Sequence, residues 1–107
     1  QRQNKKESCM RVRILDEAER DLEDGYHFYE RQSPGLGTYF LDSLYSDIDS
    51  LSYFGGIHQI VFMQHRLLSK RFPFAVYYKI VEDVALVTSV LDCRRKPSWI
   101  RQRLLGG

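Results

Sequence analysis

The side chains best suited to bind an anion are arginines and lysines concentrated in the last part of the chain. They are Arg66, Lys70, Arg71, Lys79, Arg94, Arg95 and Lys96. A guanidinium group donates paired hydrogen bonds to a phosphate or a carboxylate in a fixed geometry, which a dispersed positive charge cannot do. A cluster of these residues would therefore be a specific anion site.

Four of these arginines could form one surface if neighbouring strands bring them together. They are Arg66, Arg71, Arg94 and Arg95. The competing interpretation is that one of them, above all Arg95, pairs with Asp92 or Glu82 and ties down the end of the chain. The sequence leaves both interpretations open.

The charge distribution supports an anionic partner. Residues 1–59 contain 7 Lys/Arg and 11 Asp/Glu, whereas residues 60–107 contain 9 and 3. A basic half of this kind is typical of a surface for nucleic acid or for an acidic peptide, although a solvated charged face has the same composition.

Other chemistry finds little support in the sequence. The chain has no P-loop, no GxGxxG, no HExxH and no serine elbow. His27, His58 and His65 have no metal-binding spacing, and Cys9 and Cys93 belong to no zinc or disulfide pattern. We therefore expect no metal, no cofactor and two reduced thiols.

Length and composition indicate one globular domain. The chain has 107 residues, of which 43% are hydrophobic and 28% charged, which suits a single core. No apolar run is long enough to cross a bilayer, and we expect a cytoplasmic protein with no membrane partner. Residues 1–10 are predicted to be a disordered tail and residues 11–107 the domain.

The elements that must position the basic residues start with a short strand and two helices. Alternation over residues 11–15 predicts the strand, and Asp16 is predicted to be a helix N-cap with Glu19 as its capping-box partner. Helical spacing predicts an amphipathic helix over residues 17–32 and a second helix with an apolar stripe. The stripe comprises Phe40, Leu44, Ile48 and Leu51. The proline and glycines of residues 33–37 predict a tight hairpin turn.

The rest of the chain has the composition of β-structure. Residues 60–70, 74–81 and 84–92 are rich in β-branched and aromatic residues and predict a three-stranded meander. Residues 99–105 predict a short basic helix or tail. The predicted core comprises Ile14, Leu22, Leu44, Ile48, Val76, Tyr78, Ile80, Leu86 and Val90.

These elements predict an α+β fold. The N-terminal strand joins an edge of an antiparallel sheet, and the helix hairpin packs on one face of that sheet. The opposite face would then lack a covering helix and could receive a partner.

Two segments carry a family resemblance. The sequences RFPFAVYY at residues 71–78 and VLDCRR at residues 90–95 resemble the C-terminal core of ParE-like proteins in the RelE/ParE toxin superfamily, and the resemblance extends over residues 11–105. It implies the toxin of a bacterial type II toxin–antitoxin system, neutralised by a cognate antitoxin. ParE-type members are associated with DNA gyrase, whereas RelE-type members cut mRNA on the ribosome.

Two departures from the nuclease pattern favour the ParE-like hypothesis. Ala75 and Trp99 stand where RelE-type nucleases carry an arginine and a tyrosine, so groups that could activate or neutralise a reacting phosphate are missing. The partner-binding residues are then predicted to be Arg66, Arg71, Arg94, Arg95 and Trp99.

The alternatives are a RelE-like ribosome-dependent endoribonuclease and a stand-alone nucleic-acid-binding module. In the nuclease, Arg66, Lys70 and Arg94 would supply the catalytic cations. The basic C-terminal half of the chain is the feature that keeps both alternatives open.

Overall fold

The computed structural model describes residues 9–106 of the chain. The strands are β1 (Arg11–Ile14), β2 (Ile60–Val61), β3 (Gln64–Leu68), β4 (Phe74–Val81) and β5 (Val84–Asp92). The helices are α1 (Asp16–Glu30), α2 (Leu36–Asp49), α3 (Leu51–Phe54) and α4 (Pro97–Leu105). The predicted fold class is confirmed, and none of these helices has the length and hydropathy needed to span a membrane.

The strands form one sheet in the order β1-β5-β4-β3-β2. As predicted, β1 lies at an edge; it runs parallel to β5, while the other pairs are antiparallel. The sheet is therefore mixed rather than antiparallel throughout. A register irregularity between Tyr77 and Tyr78 places Tyr77 opposite Ser89 and Tyr78 opposite Val87, which leaves Thr88 as the extra residue of a bulge.

The single strand predicted over residues 60–70 is wrong. This segment is a small hairpin in which Val61 pairs with Gln64 across the residues Phe62 and Met63. Both turn residues have positive φ, 50° and 70°. The sequence contains no Asn-Gly or Gly-Gly signal at this turn, so its composition concealed it.

The start of α1 also differs from the prediction. The helix begins at Asp16, and Leu15 occupies the N-cap position without a side-chain hydrogen bond. The proposed capping box of Asp16 and Glu19 is therefore wrong. Both carboxylates lie in the first helical turn, where the helix dipole favours negative charge.

Close backbone approach joins α1 and α2. The Glu30 carboxylate accepts hydrogen bonds from the backbone N–H groups of Gly35 at 3.1 Å and Gly37 at 2.9 Å. A Cβ atom at Gly25 would lie only 2.5 Å from the Phe40 ring. The hairpin therefore depends on small residues at its contact points as well as on its apolar stripes.

The main core lies between this hairpin and one face of the sheet. The four stripe residues of the second-helix region, Phe40, Leu44, Ile48 and Leu51, are fully buried there. Met10, which the prediction placed in the tail, packs against the same core, and its N–H donates to the Ser52 carbonyl. Residues 1–8 of the predicted tail lie outside the described residues.

The opposite face of the sheet is only partly uncovered, which corrects the prediction. α4 packs on it and forms a second apolar cluster with two strands. The buried members of the cluster are Ala75, Tyr77, Leu91, Ile100 and Leu104. Leu86, which was predicted to lie in the core, is half-buried and lies on this second face, because it pairs in register with the exposed Arg13.

Candidate partner-binding site

A groove of about 690 Å³ lies between α1 and α4 over the end of β5. Its aromatic walls are Phe28, Phe74 and Trp99, and Arg31 and Arg95 bring positive charge to it. We call it the α1–α4 groove. Its shape and mixture of apolar and charged side chains suit an extended peptide better than a small compact ligand.

The groove exists because β1 is shorter than β5. The last contact between these strands is the hydrogen bond from the Leu15 N–H to the Val87 carbonyl. Beyond Val87, no described strand pairs with that edge of β5. One backbone group there is satisfied by a side chain, since the Val90 N–H donates to Asp21 Oδ2 at 2.9 Å.

An ion-pair network fastens α4 beside α1. Arg103 Nη2 donates to both carboxylate oxygens of Asp21, at 2.8 and 3.1 Å, and Arg103 Nε lies 3.1 Å from a Glu17 oxygen. Burial raises the pKa of Asp21, and the hydrogen bonds from Arg103 and Val90 oppose that rise. Asp21 therefore connects α1, α4 and the free edge of β5 at one point.

Trp99 forms the α4 wall of the groove. The Arg95 guanidinium carbon lies 3.8 Å from the centroid of the Trp99 ring, and that of Arg103 lies 5.5 Å from it. Cation–π contacts of this kind hold an arginine in place while leaving its N–H groups free to donate. Of the predicted partner-binding residues, Arg95 and Trp99 are thus brought together.

The structure gives the other predicted basic residues different surroundings. Arg94, and not Arg95, pairs with Asp92: Arg94 Nη2 lies 2.7 Å from Asp92 Oδ2. The hydrogen bond from Arg94 lowers the pKa of Asp92. Because its charge is matched within the chain, Arg94 is less available to an anionic partner.

Arg66 lies on the α4 side of the sheet, beside Tyr77. Burial raises the pKa of the Tyr77 phenol and the electrostatic interaction with Cys93 raises it further, whereas the charge and hydrogen bond of Arg66 lower it. Lys70 and Arg71 lie exposed in the loop between β3 and β4. Whether all these cations act on one partner stays a prediction.

A second basic surface combines Lys79 with Arg11 and Arg13, which were missed in the sequence as anion-binding candidates. Arg11 and Arg13 point to the α4 side of the sheet, and the exposed Lys79 lies in register with Leu86 and hence with Arg13. None of these cations forms an ion pair with another of residues 9–106. We call this the open sheet face; it comprises Arg11, Arg13, Lys79, Val84 and Leu86. The alternation Arg-Val-Arg-Ile indicated a half-buried strand, and its polar positions were the available signal.

No group of His, Cys, Asp or Glu within residues 9–106 has the arrangement of a metal site. His58 Nδ1 lies 2.5 Å from the Tyr78 hydroxyl, and His65 Nδ1 lies 2.8 Å from the His58 carbonyl. Burial, and then the charge of His65, lower the pKa of His58. The His58 ring is therefore engaged by Tyr78 of β4, and the His65 ring by Tyr78 and the His58 carbonyl.

Comparison with known proteins finds solved chains of similar fold. No protein-family model and no curated protein matches the sequence. A solved chain described as "Chromosomal ParDE TA system from P. aeruginosa" superposes with a TM-score of 0.69 at 16% identity, over 78% of this chain and 95% of that chain. This protein therefore has the fold of that ParDE-system chain.

Proposed function

We propose that the protein is the toxin of a type II toxin–antitoxin pair, ParE-like, active in the cytoplasm and neutralised by a cognate antitoxin. The fold it shares with almost the whole of a ParDE-system chain supports this assignment. The observation that carries it is the α1–α4 groove, which offers aromatic walls, an unpaired strand edge and a fixed arginine to a peptide.

The antitoxin segment suited to this protein is amphipathic and acidic. In the groove, its apolar side chains would lie against Phe28 and Trp99, and a carboxylate would meet Arg95. Further carboxylates would meet Arg11, Arg13 and Lys79 on the open sheet face. A segment that folds on such a surface typically buries about 1,000 to 3,000 Å².

The cellular target proposed here is DNA gyrase, on the strength of the resemblance in sequence. Two positions support this target because they are not available for the chemistry of a nuclease. Ala75 is fully buried beneath α4, so it can present no group to an RNA phosphate, and Trp99 is occupied by stacking with Arg95. A ribosome-dependent nuclease would have to work from Arg66, Lys70 and Arg94, of which Arg94 is paired with Asp92.

Co-expression with the small protein encoded by the neighbouring reading frame tests the assignment. The two proteins should co-purify, and growth arrest on expression of the toxin should be reversed by the partner. Failure of both effects would count against a toxin–antitoxin pair.

The target is tested separately by adding the free chain to a gyrase supercoiling assay and to a translating extract. We expect loss of supercoiling with intact mRNA. If mRNA is cut instead, and Arg94→Ala abolishes the cutting while antitoxin binding persists, the RelE-like alternative is correct and gyrase is not the target.

A further inference from the structure

One segment of the chain exposes apolar side chains without any charge among them. The exposed fractions are 55% for Phe54, 72% for Ile57, 61% for Ile60 and 79% for Met63. No Asp, Glu, Lys or Arg occurs between Asp49 and Arg66, in a chain that is 28% charged. Exposed apolar residues grouped in this way are typical of a protein interface.

The segment includes an unprotected strand edge. β2 ends the sheet, and no other strand among residues 9–106 pairs with its outer side. The Arg66 N–H donates to the Gln59 carbonyl on the inner side, so the alternation of an antiparallel ladder directs the N–H and C=O groups of Ile60 outward. Many proteins place lysine or proline in such an edge; β2 is two residues long and contains neither.

The hairpin turn beside this edge is held in a costly conformation. Phe62 and Met63 both have positive φ, a backbone region that L-residues other than Gly, Asn and Asp seldom adopt. Phe62 packs against the cluster under α4, which accounts for its presence. Met63 is almost wholly exposed, so nothing within the described chain accounts for an apolar residue at its position.

We infer that the β2 edge and its flanking side chains, Phe54, Ile57, Ile60 and Met63, form an interface with a second copy of this chain. Antiparallel pairing of β2 with β2 of the copy would exchange two hydrogen bonds between the Ile60 residues across a two-fold axis. The two five-stranded sheets would join into one continuous sheet. The apolar side chains would pack around the junction.

Charge is the reason that a second copy fits better than an acidic antitoxin or a nucleic acid. An uncharged surface meets its own copy without repulsion, whereas an acidic partner would find no cation between Asp49 and Arg66 to offset the desolvation of its carboxylates. The burial that lowers the pKa of His58 keeps this ring neutral near pH 7. The cations suited to an acidic partner lie elsewhere, on β1, on β4 and after β5.

Sedimentation velocity of the full chain, prepared by cell-free synthesis, tests the inference from about 1 to about 100 µM. We expect a concentration-dependent species of twice the 12.7 kDa chain mass. Ile60→Lys should weaken the dimer at least about tenfold, because it places a like charge beside its own copy across the axis. Leu105→Lys, at an exposed apolar residue of α4, is the matched control and should not change it.

Met63→Gly separates association from folding. Glycine adopts positive φ freely, so this variant should fold at least as stably as the wild type, yet its dimer should be weaker. A chain that remains monomeric at the highest concentration would overturn the inference. So would dimers that Ile60→Lys and Met63→Gly leave intact, or that Leu105→Lys weakens equally.

The antitoxin serves as an independent probe. Both monomeric variants should capture it with wild-type affinity. If they lose antitoxin capture instead while the wild-type chain is monomeric, the surface belongs to the antitoxin and the inference is wrong, whereas the proposed toxin function stands.

Discussion

At the scale of single residues, the ion pair with Asp92 gives Arg94, a loop residue, a structural role. The Arg94 guanidinium donates to Asp92 through Nε at 2.9 Å and Nη2 at 2.7 Å. The backbone N–H of Arg94 donates to the same carboxylate. These contacts tie the start of the loop between β5 and α4 to the last residue of β5.

This pair makes stability depend on acid pH. The pKa of Asp92 is lower in the folded chain than its ordinary value of 3.8, so its contribution is present above that value and is lost as pH falls through the folded pKa. Asp92→Asn should cost about 0.2 to 1 kcal/mol at pH 7, since half of the Arg94 side chain is exposed. It should also remove this part of the acid sensitivity. Urea melts from about pH 7 to about pH 2 measure both effects. If the variant lost as much stability in acid as the wild type, the result would contradict this prediction.

Arg95 provides the residue-scale test of the groove. Arg95→Glu reverses the charge beside Trp99 and should weaken antitoxin binding about tenfold or more, mainly through faster dissociation. Arg101→Glu, at an exposed position of α4, makes the same change of charge outside the groove. Equal effects of the two variants in a calorimetric titration would mean that net charge, and not the groove, governs binding.

At the scale of the elements, the helix hairpin depends on a glycine whose neighbour is a ring. Gly25→Ala places a Cβ atom against Phe40 and should destabilise the fold by about 1 to 3 kcal/mol despite the better helix propensity of alanine. The second change Phe40→Leu should cost less in the Gly25→Ala background than alone, because it makes room for the new methyl group. Denaturant melts of the wild type, the two single variants and the double variant measure this coupling, and strict additivity would show that the helices can separate freely at this point.

The unequal lengths of β1 and β5 explain the groove at the same scale. A longer β1 would have covered Val90 and left no free edge for a peptide. The chain instead turns into α1 directly after Ile14, which brings Asp21 to the Val90 N–H. The early start of α1 thus builds the site.

At the scale of the whole molecule, the two basic surfaces should act together on an acidic partner. The paired substitution Arg11→Ala and Arg13→Ala removes two exposed charges without entering the core. We expect slower association with the antitoxin and a weaker dependence of that rate on salt, with little change in dissociation. Stopped-flow mixing at several ionic strengths measures this. A salt dependence equal to that of the wild type would exclude the open sheet face from the encounter.

The three surfaces also lie on different parts of the molecule. The open sheet face and the α1–α4 groove involve β1, β5 and α4, whereas the proposed self-association edge is β2, at the other end of the strand order. We therefore expect the β2 edge and the α1–α4 groove to be occupied independently.

The local pattern of the sequence determined the elements and the class of the fold. Strands β4 and β5 have their predicted bounds, and the stripe from Phe40 to Leu51 is buried as predicted, because alternation and helical spacing are set by residues adjacent in sequence. The hydrogen-bonding capacity of the arginines was equally evident from residue type. The resemblance of residues 71–78 and 90–95 predicted a fold that this chain shares with a chain of a ParDE system.

Only the tertiary structure decided which residues of distant segments lie in contact. That α4 covers Ala75 and that Arg103 reaches Asp21 across most of the chain are contacts between distant segments. They depend on the Thr88 bulge, on strand register and on the point at which β1 ends. The hydrophobic periodicity of the sequence does not indicate these features, because many chain paths fit the same hydrophobic pattern and differ only in packing free energy.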